Sequence, residues 1–202
     1  MKNKYTEIIE QLTDSELLFH LYATQALLFV LSLGFGLLFF HGFSFLEFFK
    51  WDNWQVITIG VTAGLIVVMI DLLLMRLLPP SYYYDGGLNE RIFKNKHIFY
   101  IAWIAFIVSC SEELLFRGVI QMKFGLIFAS IVFAVIHYRY LFNWFLFLNI
   151  ILLSFFIGVI FSWTNNLAVT IAMHFTIDFL LGIYIKWKNS KNENEEEGLF
   201  NE

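Results

Sequence analysis

The sequence predicts an all-α protein, a polytopic membrane bundle of about six transmembrane helices with both termini cytoplasmic. Of its 202 residues 59% are hydrophobic and only 15% charged, against roughly 45–50% and about 25% in soluble chains. Mean hydropathy is +0.69. Several apolar runs reach the ~18 residues that read as a membrane span. A soluble globule, a disordered chain and a nucleic-acid binder are excluded on this composition. The single cysteine, Cys110, sits in an apolar run and rules out an intrachain disulfide or a Cys-based zinc cluster.

Residues 1–14 read as a cytoplasmic segment, because Lys2 and Lys4 lead into Glu7, Glu10 and Asp14 and not into the apolar core of a signal peptide. Thr13 and Glu16 have capping-box spacing and start the first helix, which runs to Phe40. His41 to Asn53 is a connection whose aromatic residues suit an interface. The second helix, Trp54 to Leu78, ends at Pro79-Pro80. Pro79 to His97 reads as a loop with an interfacial cluster (Tyr82, Tyr83, Tyr84) and a basic stretch. Ile98 to Met122 is the third helix, and Lys123-Phe124-Gly125 turns into a short fourth, Leu126 to Tyr138. Leu141 to Trp163 is the fifth and Leu167 to Trp187 the sixth, so the transmembrane domain spans residues 15–187. Residues 188–202 form a solvated acidic tail whose Lys188 and Lys191 face five glutamates, accounting for −3 of the formal charge of −4. With an inner N-terminus, ten Lys/Arg fall on the cytoplasmic side and two, Lys50 and Lys123, outside; Arg117 lies within a helix.

Charges inside apolar helices are costly unless paired or hydrated, which makes them functional candidates. The third helix carries Glu112, Glu113 and Arg117, the fourth His137, the sixth His174 and Asp178, the second Asp71 and Arg76. Glu113 and Arg117 are i,i+4 neighbours and can pair, while Glu112 is rotated about 100° away and can point into a cavity. Measured from the turn at Lys123, Glu112 lies roughly 16–18 Å and His137 roughly 20 Å along their helices. From the start of the sixth helix, His174 lies roughly 10 Å and Asp178 roughly 16 Å deep. Groups on three helices thus fall near one level, predicting a single intramembrane polar cluster.

A partly desolvated carboxylate and imidazole can together take a proton from water and generate a nucleophile. Alternatively Glu112, His137 and His174 can form a three-ligand zinc site with an open position for water. His174 and Asp178 can then serve the oxyanion of a tetrahedral intermediate, Asp178 directly only when protonated. Both schemes hydrolyse a peptide bond within the bilayer.

In order, Glu112-Glu113-x-x-x-Arg117, Phe133-x-x-x-His137 and His174-x-x-x-Asp178 resemble the three signature motifs of the CAAX protease and bacteriocin-processing family, called Abi in bacteria, over roughly Ser109 to Phe179. The resemblance implies a polytopic intramembrane protease of a bacterial cell membrane, with its protease-like core at about residues 98–187. It implies that Glu112 and His137 activate water, that His174 and Asp178 serve the oxyanion, and that Glu113 and Arg117 support them. The implied substrate is a membrane-associated peptide or protein, in bacteriocin self-immunity, peptide maturation or surface-protein processing. Aspartate at 178 departs from the asparagine of the best-studied branch, and it donates a hydrogen bond only when protonated. The other class of function is a non-catalytic scaffold or self-immunity protein that binds or shields a partner. A transporter is disfavoured because the sequence has no inverted repeat. Asp71 and Arg76 read as structural, Asp71 facing the bundle and Arg76 snorkelling to the interface; Cys110 reads as a packing residue.

Overall fold

The computed structural model describes residues 11–40, 45–138, 140 and 143–200. Most of the expected N-terminal segment, the start of the His41 connection, Arg139 of the charge count and the last two tail residues lie outside them. Among the described residues all regular structure is helical: α1 Asp14–Phe39, α2 Phe45–Phe48, α3 Val56–Leu77, α4 Leu88–Phe93, α5 Ile98–Phe124, α6 Leu126–Ile136, α7 Trp144–Thr164 and α8 Leu167–Phe200. The helices α1, α3, α5 and α7, and Leu167–Lys191 of α8, are long and apolar enough to cross a membrane. With α6 they make up the six apolar helices expected from the sequence. At 11 residues, α6 is about 16 Å long, roughly half of a hydrocarbon core of about 30 Å.

The ends of these helices follow local chemistry. Thr13 and Glu16 form the capping box of α1, with the Thr13 N–H donating to Glu16 Oε2 at 2.7 Å. Asn143 caps α7 by accepting from the N–H groups of Phe145 and Leu146. Gly125, at φ 86°, makes the turn between α5 and α6 that a side chain would strain. Asn166 Oδ1 accepts from Ala168 N at 3.0 Å, starting α8, and from Lys50 N at 3.2 Å. Its carboxamide also donates to the Lys50 carbonyl at 3.1 Å. One buried side chain thus ties the connection before α3 to the head of α8.

The structure departs from the sequence reading at several places, beginning with the short helix α2 inside the expected His41–Asn53 connection. The stretch Pro79–His97 is not all loop: it holds a 3-10 turn, Pro80–Tyr82, and then α4. The Tyr83 hydroxyl donates to the carbonyls of Leu74 and Leu78, seating this segment on the end of α3. Both α3 and α5 contain a π-helical stretch, Val56–Val61 and Phe116–Gln121. The fourth helix stops at Ile136, leaving His137 as its C-cap (φ −82°, ψ 34°), and the fifth begins at Trp144. The sixth continues as helix through the acidic segment to Phe200, since residues 188–197 contain neither proline nor glycine to stop it.

Half of the span windows of α5 and α8 is buried, against 22–28% in α1, α3 and α7, so these two helices form the centre. Helix α1 packs on α5, α3 on α8, and α6 on α7 and the π stretch of α5. Phe19, Leu37, Phe99, Ile127 and Trp163 project outward, as lipid-facing residues do. The α3–α8 seam is closed by two glycines. A Cβ on Gly60 would stand 2.5 Å from the Val169 carbonyl oxygen, and one on Gly64 would stand 2.8 Å from that of Met173. Both contacts are to backbone, so relief requires the helices to separate. Gly60→Ala is therefore expected to cost about 1–3 kcal/mol, read as a lower unfolding midpoint in detergent.

Candidate active site

Six of the polar residues singled out in the sequence converge on one place between α5, α6 and α8, whereas Asp71 and Arg76 lie apart on α3. Glu112, Glu113 and Arg117 come from the buried face of α5, which turns π-helical at Phe116. His137 caps α6, and His174 and Asp178 project one turn apart from α8. Glu113 and Arg117 are fully buried, Glu112 and His174 each 5% exposed. The His137 and Asp178 side chains are more open, at 18% and 29%.

Glu113 organises the dry side. Its Oε1 lies 3.0 Å from His174 Nδ1, and its Oε2 lies 3.3 Å from Arg117 Nε. The guanidinium Nη2 donates to Ser154 Oγ on α7 at 3.1 Å, and its carbon stands 5.6 Å from the centre of the Phe133 ring. Because an ionised carboxylate only accepts, the His174 proton facing Glu113 sits on Nδ1. That turns Nε2 toward Glu112 Oε2, 4.0 Å away, and Asp178 Oδ2, 3.5 Å away.

His137 is held in a similar way from the other side. Its Nδ1 lies 2.8 Å from the Phe133 carbonyl; a carbonyl accepts only, so Nδ1 carries the hydrogen there. The imidazole stacks on Phe133 with ring centres 4.4 Å apart. Its Nε2 is thereby aimed at Glu112 Oε2, also 4.0 Å away. Glu112 faces two imidazole nitrogens across gaps too long for a direct hydrogen bond and of the size that one bridging water spans.

Two imidazoles and a carboxylate are a donor set that zinc accepts, but ligands of one tetrahedral zinc stand only about 3.3 Å apart. At 4.0 Å, the arrangement is wider than that. Among the described residues no three His, Cys, Asp or Glu side chains are spaced to hold a metal ion, and no chemical step below is routed through one.

Residues 94–180 match the model of the family described as Type II CAAX prenyl endopeptidase Rce1-like. The uncharacterized protein YpbD of Bacillus subtilis (strain 168) is 36% identical over 149 residues, covering 73% of this chain and 79% of that protein. The chain belongs to the Rce1-like family. No solved structure matches it. The matched stretch of this Rce1-like protein holds every residue of the polar cluster, from Glu112 to Asp178, together with the helices that carry them. With five span-length helices and a bacterial relative, it is an integral membrane protein of bacteria.

Several supporting residues of the Rce1-like site did not stand out in the sequence. Ser154 on α7 receives Arg117, and Gln121, one turn after Arg117, donates to the Gly158 carbonyl at 2.7 Å and to Ser162 Oγ at 3.0 Å. A Cβ on Gly158 would stand 2.3 Å from Leu126 Cδ1 and 2.8 Å from Gln121 Oε1. Ser154, Gly158 and Ser162 recur every four residues on one face of α7, the small-residue spacing of close membrane-helix packing; that was the available signal. Gln25 on α1 and Ser111 on α5 form a further buried pair, 2.5 Å apart.

Proposed function

We propose that this protein is an intramembrane endopeptidase that hydrolyses a peptide bond of a membrane-associated peptide or protein with water activated by Glu112 and His137. The observation that carries the reading is the shared gap in which Glu112 Oε2 stands 4.0 Å from Nε2 of both His137 and His174. A water bridging Glu112 and His137 meets a carboxylate and an imidazole lone pair, and either can accept its proton as its oxygen attacks the carbonyl carbon. The new C–O bond turns the carbonyl into an oxyanion. The captured proton then passes to the amide nitrogen as the C–N bond breaks. His174, when Nε2 is protonated, and Asp178, when its carboxyl is protonated, supply donors for that oxyanion.

Glu113 and Arg117 act through His174, fixing its ring and the tautomer it presents. Membership of a CAAX-protease-like family supports the reaction class. The excess of Lys and Arg on one side supports both termini facing the cytoplasm, and the small bacterial-type chain suits peptide maturation or surface-protein processing.

The test is cleavage of membrane-anchored peptides by the purified protein in liposomes, wild type against His137→Ala, each with and without a zinc chelator. His137→Ala is expected to reduce cleavage at least about 100-fold at an unchanged unfolding midpoint. A folded variant that cleaves as fast as wild type overturns the reading. Loss of wild-type cleavage on chelation would transfer water activation to a metal.

A further inference from the structure

A cavity of about 720 Å³ lies between α3, α7 and α8, walled at one end by the segment Pro80–Glu90. Its volume falls in the range of small-ligand sites, about 300–1,000 Å³. Its lining adjoins the candidate active site through Tyr140. Tyr140 of its lining stacks with His137 at 6.3 Å between ring centres, and Leu181 of its floor follows Asp178 by three residues on α8.

Most of the lining is apolar; its polar side chains include Asp71 from α3, Asn149 from α7, Lys188 and Asn189 from the end of the α8 span, and Asp85, Asn89 and Glu90 from the segment before α5. Asp71 was expected to face the bundle as a structural residue. It does face inward, lining the cavity between α3, α7 and α8, and neither it nor the Asn149 carboxamide has a hydrogen-bond or ion-pair partner among the described residues.

Their depths agree. Gly60 faces Val169 and Ala172, and Gly64 faces Met173 and Thr176, so α3 and α8 run parallel in a fixed register. Carried seven residues beyond Gly64, that register sets Asp71 beside Leu181, about one turn or 5 Å past Asp178. Asn149 lies 16 residues before the Asn165 turn, and Leu181 lies 15 residues after Asn166; both are therefore about 23 Å from that turn. Lys188, the one cation among the lining residues, stands about 10 Å further along α8. The Asp85 carboxylate is already committed to the N–H groups of Gly87 and Asn89.

We propose that this cavity seats the stretch of substrate next to the scissile bond, with Asp71 selecting a lysine or arginine side chain there and Asn149 pairing with the peptide backbone. The inference rests on the endopeptidase reading above. A lipid chain leaves an unpaired carboxylate in apolar surroundings, which is costly. A substrate cation removes that cost. An unfolded peptide stretch within the bilayer also brings amide groups without partners, and a carboxamide offers both a donor and an acceptor. The cavity thus selects a peptide that is apolar overall and carries one basic residue within a few positions of the cut.

The test uses the full-length protein in phosphatidylcholine vesicles and membrane-anchored fluorogenic peptides that differ at one position, Lys, Gln or Glu, walked along the sequence. Peptide binding is measured separately on the Glu112→Gln protein. At one position the Lys peptide is expected to be bound and cleaved about tenfold better than its Gln counterpart. Asp71→Asn brings that ratio near one, and Asp71→Lys, folded by its unfolding midpoint, shifts preference to the Glu peptide.

Cleavage without any Lys preference, or a preference that Asp71→Asn leaves intact, overturns this inference and spares the endopeptidase reading. An Asp71-dependent binding preference with no cleavage of any peptide overturns the endopeptidase reading and keeps the cavity assignment. Abolition of the preference by an aminophospholipid in the vesicles assigns the cavity to a lipid ammonium and overturns the peptide assignment.

Discussion

Glu112→Gln is expected to lower peptide cleavage about 10²–10⁴-fold, the range that a positioned general acid–base group contributes, with the protein still folded. Glutamine keeps the size and hydrogen-bonding shape of the side chain, so the packing around this buried position is preserved. What it removes is the ability to accept and return a proton. The two imidazoles whose Nε2 atoms lie 4.0 Å away keep their anchors at Nδ1, the Phe133 carbonyl for His137 and Glu113 for His174. Single-turnover cleavage in liposomes reads the effect, and an unfolding midpoint near wild type separates chemistry from stability. Unchanged cleavage by folded Glu112→Gln protein would remove this carboxylate from the mechanism.

Arg117→Ala is expected to be the most destabilising single change at the site, by about 3–5 kcal/mol, as when one partner of a buried ion pair is removed. Arg117 is fully buried, reaching Glu113, Ser154 and the Phe133 face together. Truncation leaves Glu113 in a dry interior without its guanidinium partner, with only His174 beside it, and opens a void beside Phe133. The double variant Glu113→Gln with Arg117→Met, which removes both charges and refills the space, is expected to recover a large part of the loss. Midpoints of denaturation in a fixed detergent give the comparison; if the double variant is no more stable than Arg117→Ala, the charge argument fails.

Glu112, Glu113, Arg117, His137, His174 and Asp178 were readable in the sequence because each interrupts an apolar run, where a polar group is an anomaly. Their common depth followed from the rise per residue and two turns that could be located from glycine and asparagine. Harder to read was the rotational phase of helices that are apolar on every side. Asp71 was placed inward by its charge alone, and nothing in the sequence showed that the helices there enclose a cavity. The π stretch at Phe116–Gln121 had no warning in residue type, because it depends on which backbone groups the surrounding helices let pair. Helix α4 is six residues long, too short for periodicity to show, and its left-handed Gly87 cap was read as loop punctuation.

Phe133 has a wider consequence. The same ring lies beneath the Arg117 guanidinium and against the His137 imidazole, and the carbonyl of the same residue holds the His137 proton. The ion pair on one helix and the imidazole on another therefore share a wall, and their contributions are not separable sums. Epistasis between positions 117, 133 and 137 is built into the architecture. A variant library that samples these positions one at a time will record three losses and miss the combinations that restore function.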